Sequence, residues 1–157
     1  MAEMTRQEVI KLFAAKQGRI RLRGVDLSGL DLSYLDLSHA DFSFANLEKA
    51  NLTHANLQMS ILFAARLAGA DLSSASLGRA EMMTADLSNA NLSQASLVGV
   101  DLCGATLTGA NLSDTFYKSA IFEGARTDAA TIWPKGFDVN AHHLQAAIEA
   151  DSHDNGG

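Results

Sequence analysis

The residue types of this chain recur every five positions across two-thirds of its length. From Val25 it reads VDLSG LDLSY LDLSH ADFSF ANLEK ANLTH ANLQM, and the register runs from Ile20 to Gly124 as 21 consecutive units without insertion. The third residue of each unit runs from Leu22 to Phe122; 17 of the 21 are Leu, and the others are Phe42, Met82, Tyr117 and Phe122. The first residue is Ala in 14 units and the second is Asp or Asn in 12. The last two positions are mostly small or polar.

A period of five excludes the two common regular structures. On an α-helix, at about 100° per residue, a step of five turns each Leu by about 140° and scatters the leucines around the axis. On one long strand an odd step sends successive leucines to opposite faces. Within a unit, however, the Ala and Leu positions are two apart and share a side. A chain that turns one corner per unit returns both to the inside each time. Repeated corners make a coil, and stacked coils pair their backbones as parallel neighbours, which is a β-solenoid. The number of sides stays open on spacing alone. Phe42, Met82 and Phe122 fall on one side of a four-sided coil of 20 residues per turn, but these positions also fit other even divisions.

The AxLxx units, with Asp or Asn before the Leu, resemble those of the pentapeptide-repeat family. That resemblance implies a right-handed, four-sided parallel β-helix with the first and third residues of each unit inside. Twenty-one units then make about five coils, stacked at about 4.8 Å into a rod about 25 Å long.

A solenoid needs caps, because its terminal coils expose core and unpaired backbone. Thr5 and Glu8 have capping-box spacing and predict a short helix within residues 1–19, with Val9, Leu12 and Phe13 on one face and an end near Gln17–Gly18. The first coil carries Ile20, Val25, Leu30 and Leu35 where later coils carry Ala, as expected where a helix closes the coil. After the repeat, residues 20–124, the segment 125–150 reads as a second cap. There Trp133 and Phe137 plug the last coil, Pro134 and Gly136 shape a turn, and Asn140 starts a helix running to about Ala150 through Ala141, Leu144, Ala147 and Ile148. Residues 151–157 read as a disordered tail. The helical N-terminus and the TIWPKGFD segment also resemble caps found in this family, some of whose members dimerise through the C-terminal region.

No catalytic reading fits. Ser and Asp recur because corners need small polar residues that bond the backbone. His39 and His54 sit at the last position of their units, facing solvent; His142 and His143 are helix neighbours that diverge. No metal-ligand, nucleophile-elbow or phosphate-loop spacing occurs, and a Leu/Ala interior leaves no pocket. The expectation is a non-enzymatic scaffold with no cofactor and no metal. The net charge of −6 argues against direct nucleic-acid or acidic-membrane binding. Cys103, the single cysteine, excludes an intramolecular disulfide and falls at an outward fourth position. The longest apolar run, Ile61–Ala65, is too short to span a membrane, and the charged N-terminus does not suit a signal peptide, so the expected location is cytoplasmic.

The expected partner is therefore another protein or a second copy of the chain. Sorting outward positions by side locates a candidate interface. Phe44, Ile61, Phe63, Met83 and Ile121 lie on the side of Phe42, and Met59, Val98 and Phe116 on the side before it. Stacking places Ser43, Phe63, Met83 and Cys103 in one column, with Phe63 against Met83. Covering of this side by a terminal segment would be the competing explanation for its apolar character. The family also suggests an alternative, since some members imitate duplex DNA, bind DNA gyrase and protect it from quinolones. Here, though, the repeat tract carries 11 acidic and 6 basic residues, and Asp26, Asp31, Asp36 and Asp41 form a belt rather than an axial stripe.

The assigned register has a direct test. Leu72→Asp should bury an unpartnered carboxylate and lower stability by on the order of several kcal/mol, whereas Ser73→Asp should change it little. Chemical denaturation of both variants measures the difference; equal stability would mean the register is wrong.

Overall fold

Parallel backbone bridges join residues 20 apart, from Arg21–Asp41 through Thr106–Arg126. Four five-residue units therefore make one turn, which settles the number of sides at four. The computed structural model describes residues 4–15, 18–142 and 144–146. The expected tail at 151–157 lies outside these residues, as do Gln17 and the Ala147–Ala150 end of the expected C-terminal helix.

The fifth residue of all 21 units adopts a left-handed conformation, with φ from 51° at Ala64 to 69° at Gly99. The N–H that opens the following unit then reaches back to the carbonyl of the third residue, as from Ala45 to Phe42 at 2.9 Å and from Ala75 to Leu72 at 3.0 Å. This is a type II-like corner, which requires positive φ at its third residue. Fourteen of these corner residues are not glycine. Each such corner costs on the order of 1 kcal/mol, a cost that the paired coils on either side offset.

The ladder also explains the preference for Asp or Asn at the second position. The third and fifth N–H groups of a unit donate forward to the next coil, as from Leu72 to Asn91 at 2.7 Å and Ser74 to Ser93 at 2.9 Å. The second N–H donates backward, as from Asp71 to Ala50 at 3.0 Å. The fourth N–H is left over, and the second residue's side chain accepts it, as Asp71 Oδ1 does from Ser73 at 3.0 Å and Asn111 Oδ1 from Ser113 at 3.0 Å. Asn has a further use between coils. Its amide donates to the Asp one coil earlier: Asn46 to Asp26 at 3.0 Å, Asn51 to Asp31 at 3.2 Å, Asn56 to Asp36 at 3.1 Å and Asn91 to Asp71 at 3.2 Å.

Inside, the Ala and Leu positions form one continuous core, and Leu72 is fully buried while Ser73 is partly exposed. Two Ala positions hold hydroxyl residues instead. Buried Ser60 and Thr115 donate to the carbonyls of Leu57 and Leu112 at 2.7 and 2.9 Å, which removes the penalty of burying them.

Helix α1 spans Arg6–Ala14, with the Thr5–Glu8 capping box formed in both directions. Val9 and Phe13 join the core, and Ile20, Val25, Leu30 and Leu35 pack against it half-buried. Leu12, expected on the same face, is instead 39% exposed. Arg6 completes the cap. Its guanidinium donates to the carbonyls of Asp31 and Ser33 and pairs with the Asp31 carboxylate at 3.0 Å. In later coils those two carbonyl positions receive N–H groups from the coil before; the first coil has none, so one side chain replaces two backbone donors.

At the other end the five-residue spacing stops at Gly124, but the winding does not. Ala125, Thr127 and Thr131 are buried, and Ile132 bridges Asn111, one residue later than the 20-residue register. The extra residue sits in the unit 125–130, where Asp128 compensates for it. Its Oδ1 accepts from the Gly109 N–H at 2.9 Å and the Ala130 N–H at 3.1 Å. The predicted helix from Asn140 is not formed as such. A 3-10 turn covers Val139–His142, its Asn140 N–H bonded to Asp138 Oδ1 at 3.0 Å, so Asp138 and not Asn140 is the capping residue. Strand β2 (Gln145–Ala146) then pairs in parallel with β1 (Arg126–Thr127). The open backbone of the last coil takes this segment as a further layer, which outweighs a weak local helix signal. Phe137 stacks on Trp133 at 4.1 Å and on His142 at 4.5 Å, and all three rings meet Phe122 edge-on, which forms the aromatic plug.

Asp26, Asp31, Asp41 and Asp128 are held below their ordinary range. Ser28 lowers Asp26, Ser33 and then Arg6 lower Asp31, and the Gly109 N–H lowers Asp128. Burial acts to raise Asp41, but the bonds from Ser43 and Arg23 outweigh it and leave it lowered. A folded-state pKa below the unfolded value stabilises the fold above the unfolded pKa, about 3.9 for Asp, and the effect is lost as pH falls through the folded value. The thermal midpoint should thus be flat near neutrality and fall below about pH 4. Asp128→Asn should flatten that acid limb; an unchanged limb would separate Asp128 from acid stability.

Candidate interaction surface

Each side of the rod presents three outward columns, from the second, fourth and fifth residues of its units. On the side of Phe42 the second column reads Arg21, Asp41, Ile61, Glu81, Asp101, Ile121, each bridged to the next. The fourth column reads Arg23, Ser43, Phe63, Met83, Cys103, Glu123, and the fifth contains Phe44.

All eight residues expected on the apolar surface lie outside the core. Phe44, Met59, Val98, Phe116 and Ile121 are exposed, while Ile61, Phe63 and Met83 are partly exposed. The structure brings some of them together and not others. Phe44 and Phe63 meet edge-on at 5.4 Å, so the ring partner of Phe63 is Phe44 on the preceding coil. This follows from the corner, whose left-handed fifth residue projects Phe44 outward across the next coil. Met83 lies one coil beyond Phe63, its carbonyl accepting from the Ala64 N–H at 3.0 Å. Met59 flanks Ile61 across a corner and edges a shallow groove of about 470 Å³ with Gly18, Arg19 and His39. Ile121 is separated from Ile61 by Glu81 and Asp101, and Val98 and Phe116 stand on the neighbouring side. The coherent patch is therefore Phe44, Met59, Ile61, Phe63 and Met83.

Charge borders this patch at both ends. Arg23 lies over the Phe44 ring at 5.6 Å and pairs with the nearly buried Asp41 at 3.3 Å. Glu81 sits beside Ile61 in the unit of Met83, and toward the far end stand Asp101 and Glu123. Cys103, partly exposed between them, has its thiol pushed up to about 11 by the bond to Asp101, by burial and by the charges of Asp101 and Glu123. It is held as the unreactive thiol at neutral pH. Among the described residues no cluster of His, Cys, Asp and Glu could hold a metal ion, and no helix is long and apolar enough to cross a membrane.

The opposite side is polar apart from one feature absent from the sequence reading. Tyr34, 74% exposed, stacks on His54 at 4.8 Å and 15°. Both are fifth residues one coil apart, and that spacing of 20 was the available signal.

Comparison with known proteins agrees with this architecture. A family model described as pentapeptide repeats matches in 8 copies, over residues 20–58, 65–102 and 85–124. No curated protein matches the chain. Among solved structures, the pentapeptide repeat protein Rfr23 from the cyanobacterium Cyanothece 51142 is 35% identical over 62% of this chain, with a TM-score of 0.43; the match spans 63% of that protein. A pentapeptide repeat protein from Nostoc Pcc 7120, alr5209, is 31% identical over 91% of this chain and 96% of its own, with a TM-score of 0.38. QnrB1, a plasmid-mediated fluoroquinolone resistance protein, is 18% identical over 84% of this chain and 87% of its own, with a TM-score of 0.32. With its repeat tract matched by the family model and its coils closing every 20 residues, the chain belongs to the pentapeptide repeat family, the right-handed quadrilateral β-helices.

Proposed function

We propose that this protein is a non-enzymatic scaffold that binds another protein through the side bearing Phe44, Ile61, Phe63 and Met83. The observation that carries this reading is the outward apolar cluster of exposed Phe44 and partly exposed Ile61, Phe63 and Met83 on a rod whose interior is filled by Leu and Ala. Exposed apolar patches on folded proteins mark interaction sites, and a rigid surface with only shallow grooves suits a macromolecular partner better than a small substrate. Among the described residues, neither terminal segment explains the patch as a covered surface. α1 packs into the first coil and the Trp133–Phe137 plug onto the last.

The alternative, imitation of duplex DNA toward gyrase, has less support in the charge pattern. Asp26, Asp31 and Asp36 share one coil, and each accepts a bond from an Asn amide on the next. These three carboxylates therefore form a belt around one end of the rod, whereas a polyphosphate backbone presents its charges along an axis.

Phe63→Asp should leave the thermal midpoint within about 2 °C of wild type, as expected for a surface position, and abolish the specific protein contacts that wild type makes in affinity capture from native cells. Gln94→Asp, on the opposite polar side, should change neither. If all three proteins retained the same contacts, this side would be eliminated as the binding surface.

A further inference from the structure

We infer that the partner of this side is a second copy of the chain, docked antiparallel and face to face. The inference rests on the reading of the apolar side as an interaction surface and names its occupant.

The side is polarised along the rod. Its first coil carries Arg21 and Arg23, its middle coils carry Phe44, Ile61, Phe63 and Met83 with Glu81 in the same unit as Met83, and its last coils carry Asp101 and Glu123. Among the described residues Arg21, Glu81 and Glu123 take part in no ion pair. Arg23 and Glu123 occupy the same column five coils apart, about 24 Å at the usual strand spacing. That is about three Debye lengths at physiological salt, so the two poles do not neutralise each other within one chain. A second chain can join them.

The two ways of pairing identical faces differ in charge. With the rods parallel, a two-fold axis along the rod sets arginine against arginine and glutamate against glutamate. With the rods antiparallel, the axis crosses the rod between the third and fourth coils and exchanges the first coil with the sixth. Each residue then faces its own column in the partner. Arg23 faces Glu123, Ser43 faces Cys103, and Phe63 faces Met83, while Arg21 faces Ile121 beside Glu123. Phe63 and Met83 fall at the centre with Ile61 opposite Glu81 beside them, and the two Arg23–Glu123 contacts lie at the rim, where interfaces place their charged pairs. Asp41, opposite Asp101, is buried and already held by Ser43 and Arg23. Such an interface is isologous, so it closes at two copies rather than growing into a filament.

One side of a short rod offers less area than a standard interface, so the dimer should be in concentration-dependent equilibrium with monomer. Sedimentation velocity over a concentration series tests this. Wild type should show that equilibrium; Glu123→Arg and Arg23→Glu should each weaken it at least about tenfold through like-charge contacts; and an equimolar mixture of the two variants should recover wild-type association, because both contacts are then complementary. Since Arg23 also holds Asp41, Arg23→Glu is checked by thermal unfolding. If it does not fold, the salt dependence of wild-type association replaces it, with weakening expected on going from about 50 to 500 mM salt. A wild type that stays monomeric at the highest concentration overturns the dimer, as does self-association indifferent to Glu123→Arg or a mixture that does not recover. In any of those cases, partner contacts still lost in Phe63→Asp would preserve the binding surface with a different occupant. Loss of neither self-association nor partner contacts in that variant would remove both.

Discussion

The parallel hydrogen-bond ladder between successive coils is the interaction on which this molecule depends. A single unit buries only one Ala and one Leu, and its left-handed corner is unfavourable for most residues. Only when another coil lies 20 residues away do the second, third and fifth N–H groups find partners. Each coil is therefore stable because of its neighbours, so stability is propagated along the rod rather than concentrated at a centre. This explains why 14 corner residues can hold positive φ without being glycine. It also explains why the ends need special chemistry, since only there is the ladder incomplete.

The two ends solve the same deficiency with opposite groups. The first coil has carbonyls without donors, and the Arg6 guanidinium supplies the donors. Near the last coil the Gly109 N–H meets a displaced backbone, and the Asp128 carboxylate supplies the acceptor. A cation serves at one end, where forward-donated bonds are missing, and an anion at the other, where the added residue displaces the accepting backbone. Apolar closure follows the same logic, with Val9 and Phe13 covering one end and the Phe122, Trp133 and Phe137 rings the other.

Much of this was legible in the sequence because the inward residues obey a strict spacing that only a cornered coil accommodates. The capping box of Thr5 and Glu8 was legible for the same local reason. The continuation past Gly124 was not. In the unit 125–130 an added residue breaks the period, and Thr127 and Thr131 occupy buried places of the kind that apolar residues fill in the repeat. Thr131 fits there because its hydroxyl donates to the Leu107 carbonyl at 2.9 Å, a bond that no spacing rule reveals. The C-terminal helix failed for a related reason, since a local helix signal could not register the open edge at Arg126 and Thr127. The outward placement of the eight candidate residues was legible from spacing, but the Phe44–Phe63 ring contact was not, because it depends on the corner that projects Phe44.

The closing of the coil every 20 residues, built from units of five, gives this protein two different tolerances to change in length. Adding or losing one unit in mid-rod would preserve every inward position, every corner and every ladder bond, and the chain would still wind. Everything beyond the change would nevertheless rotate by a quarter turn. Phe44 and Phe63 would then face one direction, and Met83, Cys103 and Glu123 another. The fold counts in fives and the surface counts in twenties, so a length change can leave a sound rod with a scrambled face. Among chains of this architecture, a shared fold thus carries little information about a shared partner unless the phase of the coils also agrees.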